Sequence, residues 1–282
     1  MKFVAQQKWP LTLVGLLALA GLTAALNGNR LAGDTAPTPV PTPTSVPLNL
    51  TIDETNEVHK LHNKAGQLLL FNFRTVEPGV LYRGSGFPAN VKYEKDGKPD
   101  RKPAAYADAQ MFDFLRAKNI RLIVALQRKE SFYRERGHFE WWANKTGYKI
   151  EVVNLEVETG AQAYIPGHGG GLRAAEKFIE LMKKRDPAKD GAVYVHCDAG
   201  KDRTGVAVAA YELWRNRGVA DKDALWNQVK ARYLLSDKMI ATDQEAMNWS
   251  GKREACGDGT SGFVCPKWLD NIRTELETVA AG

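Results

Sequence analysis

The stretch that most constrains this chain is Ala192-Val193-Tyr194-Val195-His196, an apolar run of strand length that delivers Cys197 into Asp198-Ala199-Gly200-Lys201-Asp202 and on into Arg203-Thr204-Gly205. Bounded this way, the run reads as a buried strand. The apolar spacing of Val206, Val208, Ala209, Ala210, Leu213 and Trp214, stopped by Gly218, predicts a helix over 205–218. Strand, glycine-containing turn and helix start together make a cradle for an anion. Backbone N–H groups of Asp198, Ala199, Gly200, Lys201, Asp202 and Arg203 can converge on its oxygens, the helix adds its positive end, and Gly200 allows the sharp path. Arg203 follows Cys197 with five residues between them, and its planar fork can hold two oxygens of the same anion.

The field that attracts an anion also acts on Cys197, because helix N-terminal amides and a nearby guanidinium favour the thiolate over the thiol. A thiolate in line with a bound phosphoryl group can attack phosphorus and form a cysteinyl-phosphate that water later hydrolyses. Thr204 is expected to hydrogen-bond Cys197 and stabilise the departing thiolate. His196 is expected to hydrogen-bond the loop and tune the thiol rather than transfer protons. This chemistry calls for no cofactor and no metal; His59-x-x-His62 has the spacing of a metal clip but lacks Cys or carboxylate partners in a ligand pattern.

Around the loop, short apolar runs alternate with helical spacing. Strands are predicted at 67–73, 80–83, 120–126, 148–157 and 192–196, and helices at 104–118, 131–144, 172–184, 205–218, 222–232 and 237–249. The fold class that follows is α/β, a central, mostly parallel sheet flanked by helices, with the Cys-x5-Arg loop between a strand and a helix. The charged stretch 92–103 reads as a solvated loop, and the tryptophans read as packing residues. His168, in a glycine-rich loop, is a candidate for the cleft wall.

The chain ends read differently. Lys2 and Lys8 precede Trp9-Pro10 and an apolar stretch from Leu11 to Leu26 interrupted only by Gly and Thr. Residues 1–33 therefore read as a signal peptide or an N-terminal membrane anchor, and either implies export to a periplasmic or other extracytoplasmic compartment. Residues 34–48 form a Pro/Thr-rich linker, an extended spacer that would hold the domain off a bilayer. Residues 49–282 are left as one catalytic domain with a C-terminal extension. In an oxidising compartment the three cysteines cannot all pair. Cys256 and Cys265 flank a glycine-rich turn and are expected to form a disulfide, leaving Cys197 free. The net charge of +6 suits anionic substrates, but no dense basic run with interleaved aromatics is present, so nucleic acid is not an expected partner.

At Cys197 to Gly205 the sequence resembles the protein tyrosine phosphatase superfamily, in particular its bacterial periplasmic dual-specificity-like members. Val80-Leu81-Tyr82-Arg83-Gly84-Ser85-Gly86-Phe87-Pro88 resembles the Tyr-Arg-Ser-x-x-Pro segment that opens such domains, with Gly84 inserted, and Arg121 to Leu126 resembles their next strand. The Cys256 to Cys265 segment followed by Lys267-Trp268 is similar to the C-terminal region of the periplasmic members. The resemblance implies a phosphomonoester hydrolase with Cys197 as nucleophile and Arg203 as phosphate clamp. It also implies a general-acid Asp after the strand Ile150-Glu151-Val152-Val153-Asn154-Leu155, where this chain has Glu156 and Glu158 instead. Asp202, immediately before the loop arginine, is the rival, as in similar phosphoinositide phosphatases, and ranks above Glu158. Substrate class stays open at this point. A phosphorylated protein leads, as for a tyrosine or dual-specificity phosphatase. An inositol phosphate or phosphoinositide is the alternative, because Lys201 can contact further phosphates, and a phosphate-binding module without turnover is the third reading.

Overall fold

Alternation within the apolar runs sorts the molecule into layers. Leu122, Val124, Val193 and Val195 belong to one buried cluster, whereas Ile123 and Tyr194 belong to another, so successive residues of these strands face opposite sides of a sheet covered on both faces. The computed structural model describes residues 70–87, 109–157, 161–167, 170–247, 253–256, 259 and 261–282, all within a unit spanning Pro43–Gly282. The predicted segments 1–33, 34–48 and 92–103, together with His59, His62, Glu158 and His168, lie outside the described residues.

The sheet has five strands: β1 (Arg74–Glu77), β2 (Leu81–Ser85), β3 (Ile120–Ala125), β4 (Glu151–Asn154) and β5 (Ala192–Cys197), in the spatial order β1-β2-β5-β3-β4. β1 is antiparallel to β2, and every other pairing is parallel. On one face lie α1 (Ala109–Ala117) and α2 (Lys129–Thr146), whose Met111, Phe112, Phe139 and Trp142 cover Ile123 and Tyr194. On the other lie α3 (Gly170–Lys183) and α5 (Asp202–Arg215), whose Phe178, Ile179, Val206 and Ala210 cover Val124 and Val195. Each fully buried side chain of this size contributes roughly 1.5–3 kcal/mol. The short α4 (Pro187–Asp190) leads into β5, and α6 (Lys222–Met247), α7 (Pro266–Asp270) and α8 (Arg273–Ala281) complete the helical layer. A small hairpin of β6 (Glu254–Ala255) and β7 (Ser261–Gly262) carries Cys256, which is bonded to Cys265 with Cα atoms 5.2 Å apart; Cys197 is free and buried. Among the described residues no helix is long and apolar enough to cross a membrane.

Several boundaries differ from expectation, each for a local reason. The edge strand predicted at 67–73 begins only at Arg74, because Asn72 takes a left-handed φ of 52° that breaks extended structure before it. The helices predicted at 222–232 and 237–249 are one helix, since Tyr233-Leu234-Leu235-Ser236 holds no Gly or Pro to stop it. The helix after the loop begins at Asp202 rather than Gly205, which places Arg203 and Thr204 in its first turn. Parallel strands β2, β5, β3 and β4 end together, and in such a sheet the crevice beyond the carboxyl ends is where ligands bind.

Candidate active site

β5 ends at Cys197 and α5 starts at Asp202, so the whole cradle is built from the residues between. Its carbonyls are tied outward by other parts of the chain. The Gly86 N–H donates to Asp198 O at 3.2 Å, Asn72 Nδ2 to Ala199 O at 3.1 Å and Gly200 O at 2.9 Å, and Arg83 Nη2 to Gly200 O at 2.5 Å. A trans peptide points its N–H opposite to its C=O, so these bonds turn the amides of Ala199, Gly200 and Lys201 toward the concave side. Gly200 adopts φ +66°, and a Cβ there would lie 2.3 Å from Gly84 O. Gly84 in turn has no room for a side chain, since its Cβ would meet the Tyr194 hydroxyl at 2.4 Å. The glycine inserted at 84 and the loop glycine are therefore one close backbone contact.

Cys197 sits at the floor of this cradle, 1% exposed. Arg203 is buried beside it; Nη1 donates to Val157 O at 3.2 Å and Nη2 pairs with the Asp198 carboxylate. Burial alone would lower the Arg203 pKa, but the charges of Cys197 and Asp198 carry it above the ordinary arginine value. Asp198 thus occupies one arm of the fork that a phosphate would use. Thr204 is fully buried and its Oγ1 makes no hydrogen bond among the described residues, so the expected bond to Cys197 is not formed in this structure.

Lys201 and Asp202 face a different neighbourhood. The Lys201 ammonium donates to Phe263 O at 2.8 Å, stands 5.7 Å above the Trp268 ring and lies 3.3 Å from Asp202 Oδ2. Its amide remains in the cradle, but its charge is held by the segment that the Cys256–Cys265 bond closes. The Tyr164 hydroxyl donates to Asp202 Oδ1 at 3.0 Å and lies 2.7 Å from the Tyr233 hydroxyl. Burial pushes the Asp202 carboxyl up, with Lys201 and the Tyr164 hydrogen bond opposing. A carboxyl raised in this way and adjacent in sequence to Arg203 is a candidate proton donor.

Behind the cradle the charges are buried. Arg83 and Arg74 share the Ser236 hydroxyl, at 3.3 Å and 3.0 Å, and Arg232 pairs with Glu212 at 2.6 Å. Burial pulls the Arg83 pKa down to about 10, with Glu212 and Cys197 opposing. Burial pushes the Glu212 carboxyl up, against the pull of Arg232, Arg83 and Arg74. On the opposite side His196 is fully buried: Nδ1 lies 3.3 Å from Cys197 O and Nε2 lies 3.2 Å from Glu135 Oε1, a close contact without the alignment of a hydrogen bond. A carbonyl can only accept, so the Nδ1 proton is assigned toward Cys197 O.

A family model described as tyrosine phosphatase family matches residues 107–274, a span that contains Cys197, Arg203 and all of the loop. This chain belongs to that family. Among solved structures, a candidate phosphatase of Shewanella putrefaciens CN-32 is 17% identical with a TM-score of 0.38, over 75% of this chain and 93% of its own. PTPMT1, solved in complex with PI(5)P, is 15% identical with a TM-score of 0.39, over 74% of this chain and 97% of its own. The core catalytic domain of the PP-IP phosphatase SIW14 of S. cerevisiae, solved with citrate, is 17% identical with a TM-score of 0.37, over 63% and 83%.

In this tyrosine phosphatase family member His196 and Cys197 end β5, Asp198, Ala199, Gly200 and Lys201 form the turn, and Asp202, Arg203 and Thr204 open α5, while Glu158 lies outside the described residues. Sequence reasoning missed Asn72, Arg83, Glu135, Tyr164 and Tyr233. Glu135 had a legible signal: it falls between Phe132, Phe139 and Trp142 on the apolar stripe of α2, and a carboxylate buried there needs a charged or hydrogen-bonding partner.

Proposed function

We propose that this chain is a cysteine-dependent phosphomonoesterase that acts on phosphotyrosine in proteins, and on phosphoserine or phosphothreonine where the cleft admits them. The observation that supports the reading is the cradle itself, in which Gly86, Asn72 and Arg83 hold the carbonyls of Asp198, Ala199 and Gly200 outward and so turn the amides that follow them inward, in the segment between Cys197 and Arg203. The Cys197 thiolate attacks phosphorus in line, forming the S–P bond as the ester P–O bond breaks, and Asp202 donates its proton to the departing oxygen. Water then attacks the cysteinyl-phosphate and gives its proton back to Asp202. The S–P bond breaks and inorganic phosphate leaves. Arg203 and the loop amides hold the equatorial oxygens through both steps. The buried Thr204 hydroxyl is the group available to stabilise the thiolate as it departs.

The inositol-phosphate alternative rests on Lys201 reaching further phosphates. Its ammonium donates to Phe263 O instead, which favours the phosphotyrosine reading. The purified 282-residue chain is to be assayed for phosphate release from phosphotyrosine peptides, phosphoserine peptides and inositol polyphosphates, beside Cys197→Ser. The reading expects turnover of the phosphotyrosine peptides that Cys197→Ser abolishes. Turnover of inositol polyphosphates alone would overturn the substrate class, and no Cys197-dependent release from any of them would leave a phosphate-binding module. We also propose that the protein is exported, with residues 1–33 acting as a signal or anchor; the sequence pattern and the Cys256–Cys265 pairing support this, and recovery only in the cytoplasmic fraction of the source cells would sink it.

A further inference from the structure

Beyond the cradle, the carboxyl end of β4 opens into a cavity of about 560 Å³ between Asn154 and Glu156 on one wall, Lys129 at the start of α2, and Arg173 and Lys177 on α3. Arg173 and Lys177 are one helical turn apart and exposed on the same face. Glu156 is already paired with Lys129 at 3.6 Å, whereas among the described residues neither Arg173 nor Lys177 has an ion-pair partner. Among the described residues the cavity therefore presents two uncompensated cations. It also adjoins the phosphate clamp: Glu156 is next in sequence to Val157, whose carbonyl accepts from Arg203 Nη1. Asn154 is in register with Ala125, and Ala125 with His196, so the cavity lies two strand spacings, about 10 Å, to one side of the cradle.

We propose that this cavity is a second anion subsite that takes an acidic side chain of a phosphotyrosine peptide, with Arg173 and Lys177 as its specificity-determining residues; the inference rests on the phosphotyrosine reading given above. An extended peptide advances about 3.3 Å per residue, so a lateral offset of about 10 Å corresponds to a Glu or Asp two to four residues from the phosphotyrosine. Exposed pairs of this kind are worth little each, so the preference is modest, screened by salt and expressed mostly in KM.

The test compares matched phosphotyrosine peptides carrying Glu or Gln two, three and four residues to either side, hydrolysed by wild type and by the Arg173→Glu/Lys177→Glu double variant. The subsite predicts that one Glu peptide exceeds its Gln partner about five-fold in kcat/KM, that 0.5 M NaCl erases the difference, and that the double variant loses or reverses it. Hydrolysis of p-nitrophenyl phosphate, which has no flanking group, is unchanged in the double variant and reports that the fold and cradle are intact. Equal rates on every Glu and Gln pair, or a preference that survives in the double variant, overturns the subsite while leaving the phosphotyrosine reading in place. A double variant that is impaired on inositol bisphosphates but not on acidic peptides overturns the assignment to peptides. Absence of Cys197-dependent turnover on all the peptides overturns the phosphotyrosine reading, and the subsite with it.

Discussion

The two halves of the loop are braced by different parts of the molecule. The half around Cys197 to Gly200 is held from inside the sheet, by His196, Asn72 and Arg83, all nearly or fully buried. The half around Lys201 and Asp202 is held from outside it, by the hydroxyl of Tyr164 and by Phe263 O and the Trp268 ring of the C-terminal extension. Groups that position Cys197 are thus also groups that hold the fold together, whereas groups that position Asp202 are attached around it. Substitutions on the inner side should cost stability and activity together, and those on the outer side should change rate or pH dependence with the fold intact.

The largest expected separation is at Asp202. Asp202→Asn should lower kcat on an alkyl phosphate by about 10²–10⁴, and by much less on an aryl phosphate with a good leaving group, while the thermal midpoint barely moves. An unchanged alkyl rate would remove Asp202 from the acid role and transfer it to Glu158. On the inner side, Glu212 is 2% exposed and is the carboxylate that offsets Arg232, Arg83 and Arg74. Glu212→Gln removes that negative charge from beside the three guanidinium groups and should cost about 3–5 kcal/mol in denaturant unfolding, with activity lost in step with folded protein. A variant that keeps its stability would break the link drawn here between the buried charges and the cradle.

This division also explains what could be read from sequence. Cys197, Gly200, Asp202 and Arg203 fall within one strand, turn and helix start, so their spacing alone carries the geometry of the cradle. Their braces come from far along the chain: Asn72 is 127 residues from Ala199, Lys201 is 62 from Phe263, and Tyr164 is 38 from Asp202. No local pattern encodes such contacts. Glu135 is the exception, since its place on an apolar helical stripe announced a buried charge, though not that His196 would meet it. The alternation of strands and helices was legible for the same reason as the loop, because burial on both faces makes β3 and β5 nearly continuous apolar runs, broken in β3 by the exposed Arg121. Strand and helix ends were less so. Asn72 abandons extended structure before β1 while its side chain holds two loop carbonyls, a requirement visible only once the loop is in place.

Tyr164 tests the outer side with a smaller effect. Asp202 can donate only while protonated, so hydrolysis of a poor leaving group should decline as pH rises through its pKa, and a raised pKa carries activity to higher pH. The Tyr164 hydroxyl stabilises the charged carboxylate and thereby holds that pKa down. Tyr164→Phe should therefore move the basic limb of the kcat profile to higher pH, with little change in thermal midpoint. A limb that stays fixed, or moves to lower pH, would show that the titrating acid is not Asp202.

The smallest effect is expected where the two halves meet, at the ion pair of Asp198 with Arg203. The Asp198 side chain is 62% exposed while Arg203 is 7% exposed, so the carboxylate can swing into water and the guanidinium cannot. An incoming phosphate must take the arm that Asp198 holds, and the solvent around Asp198 weakens the competing attraction. Asp198→Asn frees that arm and removes a negative charge from the mouth of the cradle, so KM should fall about two- to five-fold with kcat nearly unchanged, since an exposed pair is worth about 0.2–1 kcal/mol. Competitive inhibition by inorganic phosphate should tighten in parallel, because the same arm receives it. A rise in KM would mean that Asp198 aims the arginine rather than competing for it, and the outer bracing would then extend one residue from the nucleophile.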